Sequence, residues 1–264
     1  MSTAPPTTRT RVVLGATCYA DAAASLQVAL VLAKQISADI HGCLVTDDAI
    51  LASVSYPNAR AVAYSGRSFH SVSEQSMRAA LRADARMFED RLTAEARQAS
   101  IKAAFTEAHG GLSGILQNIA GAGDLIVFGF RRAMRESESI VLLLGTEAPD
   151  PDLLALGAAL AQRLRKRLTL IAAPDRHADI ADRLARLSVT GFELVPFFGT
   201  DRMLLQLDRM SPAALLVGTD LPGAAALSRL MDVARCPVVL PMRRLPVTSA
   251  AAKPDRKAGK APTG

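Results

Sequence analysis

Asp124-Leu125-Ile126-Val127-Phe128-Gly129 is a continuous apolar run closed by glycine. A strand with one face in water alternates apolar and polar residues, and this run does not. It predicts a strand covered on both faces, inside a parallel sheet. Upstream, Val12-Val13-Leu14-Gly15 has the same character and ends at a turn. A helix from Ala22 to Ser37 follows, with Leu26, Leu30, Ala33 and Ile36 on one face, and then a strand from Ile40 to Val45. Residues 49–68, with Tyr56, Pro57, Asn58, Tyr64 and Gly66, read as an irregular excursion. Met77, Leu81, Ala85, Phe88 and Leu92 then recur at helical spacing, the stripe of a long amphipathic helix reaching about Ala99. A strand over 101–108 and a short helix over 112–121 lead into the opening run.

The same grammar restarts beyond it. Ile140 to Leu144 with Gly145-Thr146 repeats the first strand and turn, and Leu153 to Arg165 repeats the first helix. Leu32, Ala33, Ile36 and Ile40 fall on Leu160, Ala161, Leu164 and Leu168 at one constant offset. Helices over 178–188, 201–210 and 223–234 separate strands over 192–198, 214–218 and a terminal Cys236-Pro237-Val238-Val239-Leu240. The expected fold class is α/β: two tandem open parallel-sheet, Rossmann-like domains packed as a pseudo-dimer. Their expected limits are 11–138 and 139–244, between a leader, 1–10, and a basic tail, 245–264, both read as unstructured. The halves are unequal. The first spends residues 48–100 between its second and third strands, the second only 174–191. Between Gly129 and Ile140 there is no room for a helix and a final strand. The first half therefore lacks its last α/β unit, and its open edge must be covered. The terminal strand either covers that edge internally or pairs with a second chain as a homodimer.

The composition narrows function. Half of the 264 residues are apolar and 21% are charged, so a sizeable core is available. Aromatics make up 4% and Trp is absent, which argues against base-stacking nucleic-acid modules. The net charge of +6 is concentrated at the ends. Lys253, Arg256, Lys257 and Lys260 against Asp255, together with Arg9, carry four of those six charges. The nearly neutral remainder offers no nucleic-acid face. Cys18, Cys43 and Cys236 lack metal-ligand spacing and read as buried thiols of a reducing compartment. With no apolar span and no secretory leader, a cytoplasmic location is expected.

The strand–turn–helix containing Ala29-Leu30-Val31-Leu32-Ala33-Lys34 and the strand after Ala38-Asp39 resemble the universal stress protein family. Asp124 to Gly129 is similar to that family's fourth strand. Leu227-Ser228-Arg229-Leu230, followed by Cys236-Pro237-Val238-Val239, is similar to its closing helix and fifth strand. The resemblance covers 11–244 as two copies. It implies five-stranded parallel sheets flanked by helices, pairing through their last strands, and a role in stress response.

It also implies where a nucleotide would sit, and there the chain departs from the pattern. ATP-binding members carry Gly-x2-Gly-x9-Gly-Ser/Thr after the fourth strand, where backbone N–H groups surround the phosphates. Counted from Gly218, the corresponding positions hold Leu221, Met231 and Asp232, and Pro222 removes a donor. Counted from Gly129, they hold Arg132, Leu142 and Leu143. Thr17, and Gly145 or Thr146, stand where those members place an Asp after the first strand. The expectation is thus a non-catalytic interaction or regulatory module with degenerate nucleotide sites, no required cofactor and an unknown protein partner. The alternative is a binder of ATP, AMP or another anionic metabolite in the first half's crevice. Its candidate residues are Thr17, Tyr19, Val45, Gly129, Arg131 and Arg132, with Arg135 beside them.

Other motifs are weaker still. Gly111-Leu112-Ser113-Gly114 is no nucleophile elbow, and Ser113 reads as a helix cap. His41, His70, His109 and His177 are dispersed, so no metal site is expected. Asp47-Asp48 reads as a cap or a ribose contact at a strand end.

Overall fold

The computed structural model describes residues 10–47, 52–53, 60–62, 69–71, 73–130, 138–219 and 224–244. The first half contains β1 (Arg11–Ala16), α1 (Tyr19–Gln35), β2 (Asp39–Thr46), β3 (Arg60–Val62), β4 (Phe69–Ser71), α2 (Glu74–Gln98), β5 (Ala103–His109), α3 (Leu112–Ile119) and β6 (Leu125–Phe128). The second contains β7 (Ser139–Gly145), α4 (Pro151–Leu164), β8 (Arg167–Ala172), α5 (His177–Arg186), β9 (Phe192–Pro196), α6 (Thr200–Met210), β10 (Ala214–Val217), α7 (Ala224–Ala234) and β11 (Val238–Pro241).

Nine strands form one sheet in the order β5-β2-β1-β6-β11-β10-β7-β8-β9. Every neighbouring pair is parallel except β6 and β11, which run antiparallel with Val239 opposite Val127. The last strand thus closes the open edge of the first half from within the chain. Met242 N–H extends this seam by donating to the Asp124 carbonyl at 2.8 Å. On the same seam, α1 packs against α4.

The unbroken apolar runs are explained by two cores, one on each face of the sheet. Val12, Leu14, Leu125, Val127, Leu142 and Leu216 face α1, α2, α4 and α5. Their alternates Val13, Ile126, Phe128, Leu143 and Leu215 face α3, α6 and α7. A missing side chain sets one close approach: a Cβ at Gly15 would lie 2.5 Å from the Leu116 tip, so glycine lets α3 press onto β1.

Two expectations change. The excursion over 49–68 is not wholly irregular, because β3 and β4 pair antiparallel, with Ala61 opposite His70. Three-residue strands are too short to show a period. Tyr56, Asn58, Tyr64 and Gly66 lie outside the described residues. The α3 cap position belongs to Gly111, and Ser113 lies inside the first turn with its hydroxyl unpartnered.

Candidate functional site: two crevices at the strand ends

Strand order reverses between β1 and β6, and again between β7 and β10. In open α/β sheets the crevice for a ligand lies outside the carboxyl ends of such a pair. The molecule therefore has two such places.

At the first, groups of the chain itself meet the start of α1. The turn Thr17-Cys18 leads from β1 into α1, and Cys18, at the N-cap position, makes no side-chain cap bond. Tyr19 N–H instead donates to Asp84 Oδ2 on α2 at 3.1 Å. A carboxylate from within the chain thus caps the positive end of the helix. Tyr19 also faces Arg91, whose pKa is raised by the hydrogen bonds it donates to Glu95 and then to Tyr19.

Opposite the turn, Gly129 N–H donates to the Gly15 carbonyl at 2.7 Å. A Cβ at Gly129 would stand 2.8 Å from Ala16 Cβ and 3.2 Å from the carbonyl oxygens of Gly15 and Asp21. Phe130 N–H then donates to Ser25 Oγ at 3.0 Å, while that hydroxyl donates to the Asp21 carbonyl at 2.8 Å. The chain after β6 is thus held against the end of β1 and the first turns of α1.

Of the residues singled out in the sequence, Thr17, Tyr19 and Gly129 gather around this closure. Val45 stands at the end of β2 with its side chain wholly inside the core. Arg131, Arg132 and Arg135 lie outside the described residues, as do Asp48, Leu221 and Pro222. Met231 and Asp232 lie within α7.

Two of the described thiols are shifted away from reactivity. Burial raises the Cys18 thiol pKa and pushes that of Cys43 up to about 11, so neither is an activated thiolate at neutral pH. His41 has its pKa lowered by burial and then by Arg11, and its Nε2 lies 3.0 Å from Thr106 Oγ1 across β2 and β5. No group of three or more His, Cys, Asp or Glu able to hold a metal occurs among the described residues.

The second crevice is built differently. Asp150 at the α4 N-cap accepts from Asp152 N–H at 3.0 Å, with Pro151 opening the helix. Gly218 N–H reaches the Leu143 carbonyl at 2.7 Å, and Thr219 Oγ1 donates to Glu147 at 3.1 Å. Beside these residues, between α6 and α7, lies a cavity of about 420 Å³. Leu143, Phe197, Met203, Leu204 and Leu230 give it apolar walls, and Thr200, Asp201, Thr219 and Arg229 supply its polar groups. The sequence reading missed it. A faint signal was Phe197 ahead of Met203 and Leu204, apolar positions that feed one helix face.

Fold and crevices together define an open α/β protein with two strand-order reversals in one sheet. No protein-family model matches the chain, and no curated protein matches it. Among solved structures it is similar to a universal stress protein from Archaeoglobus fulgidus DSM 4304, at 11% identity over 87% of this chain and 95% of that one, with a TM-score of 0.47. It is also similar to a functionally unknown protein from Pseudomonas aeruginosa PAO1, at 8% identity over 88% and 92%, TM-score 0.44. A candidate universal stress protein from Pseudomonas aeruginosa UCBPP-PA14 matches at 8% identity over 88% and 93%, TM-score 0.43.

Proposed function

We propose that the chain is a non-catalytic protein of the universal-stress type, an interaction or regulatory module of the stress response whose nucleotide sites are degenerate. The observation that carries this reading is the Asp84 carboxylate seated on the start of α1. Asp84 caps the end of α1, where an anion would bind, and Gly129 and Phe130 are bonded down against β1 and α1. The sequence departures support it, since Leu221, Met231, Asp232 and Arg132 stand where phosphate-binding glycines and a hydroxyl would be needed. A cytoplasmic location fits this reading. No helix among the described residues is long and apolar enough to cross a membrane. The partner is another protein or a second copy of the chain. Because β11 is already paired on both sides, a homodimer would use a different surface.

Calorimetric titration with ATP, ADP and AMP at millimolar concentration tests the proposal, together with an assay of phosphate release. The expected result is neither saturable heat nor hydrolysis. The ultraviolet spectrum is a sensitive companion, because a chain with three Tyr and no Trp absorbs weakly at 280 nm. Hydrolysis abolished by Arg131→Ala or Arg132→Ala would overturn the proposal. Saturable nucleotide binding without turnover, lost in the same variants, would establish binding of an anionic metabolite instead.

A further inference from the structure

The cavity between α6 and α7 has no part in that reading, yet it has the makings of a small-molecule site. Its volume of about 420 Å³ falls in the range of ligand pockets, and its apolar walls come from elements of the sheet and both helices. Two opposite charges belong to it, Asp201 on α6 and Arg229 on α7. Their side chains approach to 3.4 Å but are 86% and 65% exposed, so the pair adds little to folding. It is available to be exchanged for a ligand's own charges.

The other charged groups nearby restrict what that ligand can be. Glu147 accepts from Thr219, a lining residue, and Arg202 on α6 lies 5.7 Å from the centre of the Phe198 ring. A polyanion would meet two carboxylates, Asp201 and Glu147, for its one lining guanidinium. A purely apolar occupant would leave the Asp201–Arg229 pair unused. A zwitterion with an apolar body satisfies all three features at once.

We propose that this cavity binds a free α-amino acid with a large apolar side chain. Its ammonium is held by Asp201 and its carboxylate by Arg229, and its side chain packs against Phe197, Met203 and Leu204. A site of this kind would give the module a metabolite input, and it stands independently of the first crevice.

The test is calorimetric titration of the full chain with L-phenylalanine and L-leucine, beside two truncated ligands. Of these, 3-phenylpropanoate lacks the ammonium and phenethylamine lacks the carboxylate. Phenylalanine is expected to bind one per chain, and each truncated ligand at least about tenfold more weakly, the loss of one charge-assisted contact. Asp201→Asn should weaken phenylalanine but not 3-phenylpropanoate. Arg229→Gln should weaken phenylalanine but not phenethylamine. Both positions are exposed, so the variants should fold. Ala226→Trp, whose side chain would enter the cavity, should abolish binding, and its indole, the only one in the chain, reports by its emission whether it is buried. The proposal is overturned if neither amino acid gives saturable heat at millimolar concentration, or if 3-phenylpropanoate binds as tightly as phenylalanine. Undiminished binding to Ala226→Trp with a buried indole would overturn it too.

Discussion

The two halves lead from strand through turn to helix in the same order, and they secure that unit with differently placed groups. In the first, polar ties reach across the fold. Asp84 on α2 caps α1, and Asp124 before β6 holds Arg11 at the start of β1. In the second, Asp150 caps its own helix and also accepts from Arg243 beyond β11, and Ala213 N–H meets the Ser139 carbonyl at the start of β7 at 2.7 Å. The contrast teaches that equivalent helix starts take their capping carboxylate from different places. Asp84 ties α1 to α2 beside the end of β1, whereas Asp150 ties α4 to the segment after β11, and the α6–α7 cavity lies on the other face of the sheet from both caps.

The largest effect should come from breaking the charged tie. Asp124 is 3% exposed and accepts from Arg11 N–H at 2.8 Å, Arg11 Nε at 3.1 Å, Arg11 Nη2 at 2.8 Å and Gly121 N–H at 2.8 Å. Asp124→Ala leaves two backbone donors without their acceptor and the guanidinium with the Ile119 carbonyl but no counter-charge, a loss of about 3 kcal/mol. Ser139→Ala, at the first residue of β7, should cost less than about 1 kcal/mol. Urea denaturation of the two variants measures the difference. Equal midpoints would mean that charge does not distinguish the halves.

The glycines closing the two crevices make a finer test. A methyl at Gly129 meets Ala16 Cβ and two carbonyl oxygens, none of which can turn aside. A methyl at Gly218 meets chiefly the tips of Leu153 and Leu144, at 2.6 and 3.0 Å, which can shift rotamer. Gly129→Ala is expected to cost about 2 kcal/mol and Gly218→Ala about 1 kcal/mol. Thermal unfolding that ranked them the other way would show that the first crevice has slack the packing does not suggest.

Much of this architecture is legible in the sequence because parallel strands covered on both faces leave unbroken apolar runs. Asp124 to Gly129 and Ala214 to Gly218 are such runs, and both became central strands. The short interval from Gly129 to Ile140 also showed that an edge had to be covered, and left open whether β11 covered it or paired with a second chain. The site was less legible. Asp84 and Tyr19 are 65 residues apart, and no local period links a helix cap to a carboxylate on another helix. Val45 has its side chain in the core, since alternation along β2 sends Cys43 and Val45 towards α3. The α6–α7 cavity draws on β7, the segment after β9, and two helices, so it exists only once the sheet is assembled.

The smallest effects belong to the two caps, and there the location of the damage matters more than its size. Asp84→Ala and Asp150→Ala should each cost about 1 kcal/mol, the usual worth of an N-cap. Because Asp84 joins α1 to α2, its loss should speed amide exchange in the facing turns of both helices. Loss of Asp150 should loosen the first turn of α4 and its exposed partner Arg243. Inorganic phosphate carries the comparison back to the crevice. With Asp84 gone, the end of α1 is a free donor site, and phosphate should recover part of the lost stability in that variant while leaving the parent unchanged. A parent stabilised just as much by phosphate would show that the carboxylate is not what keeps anions out.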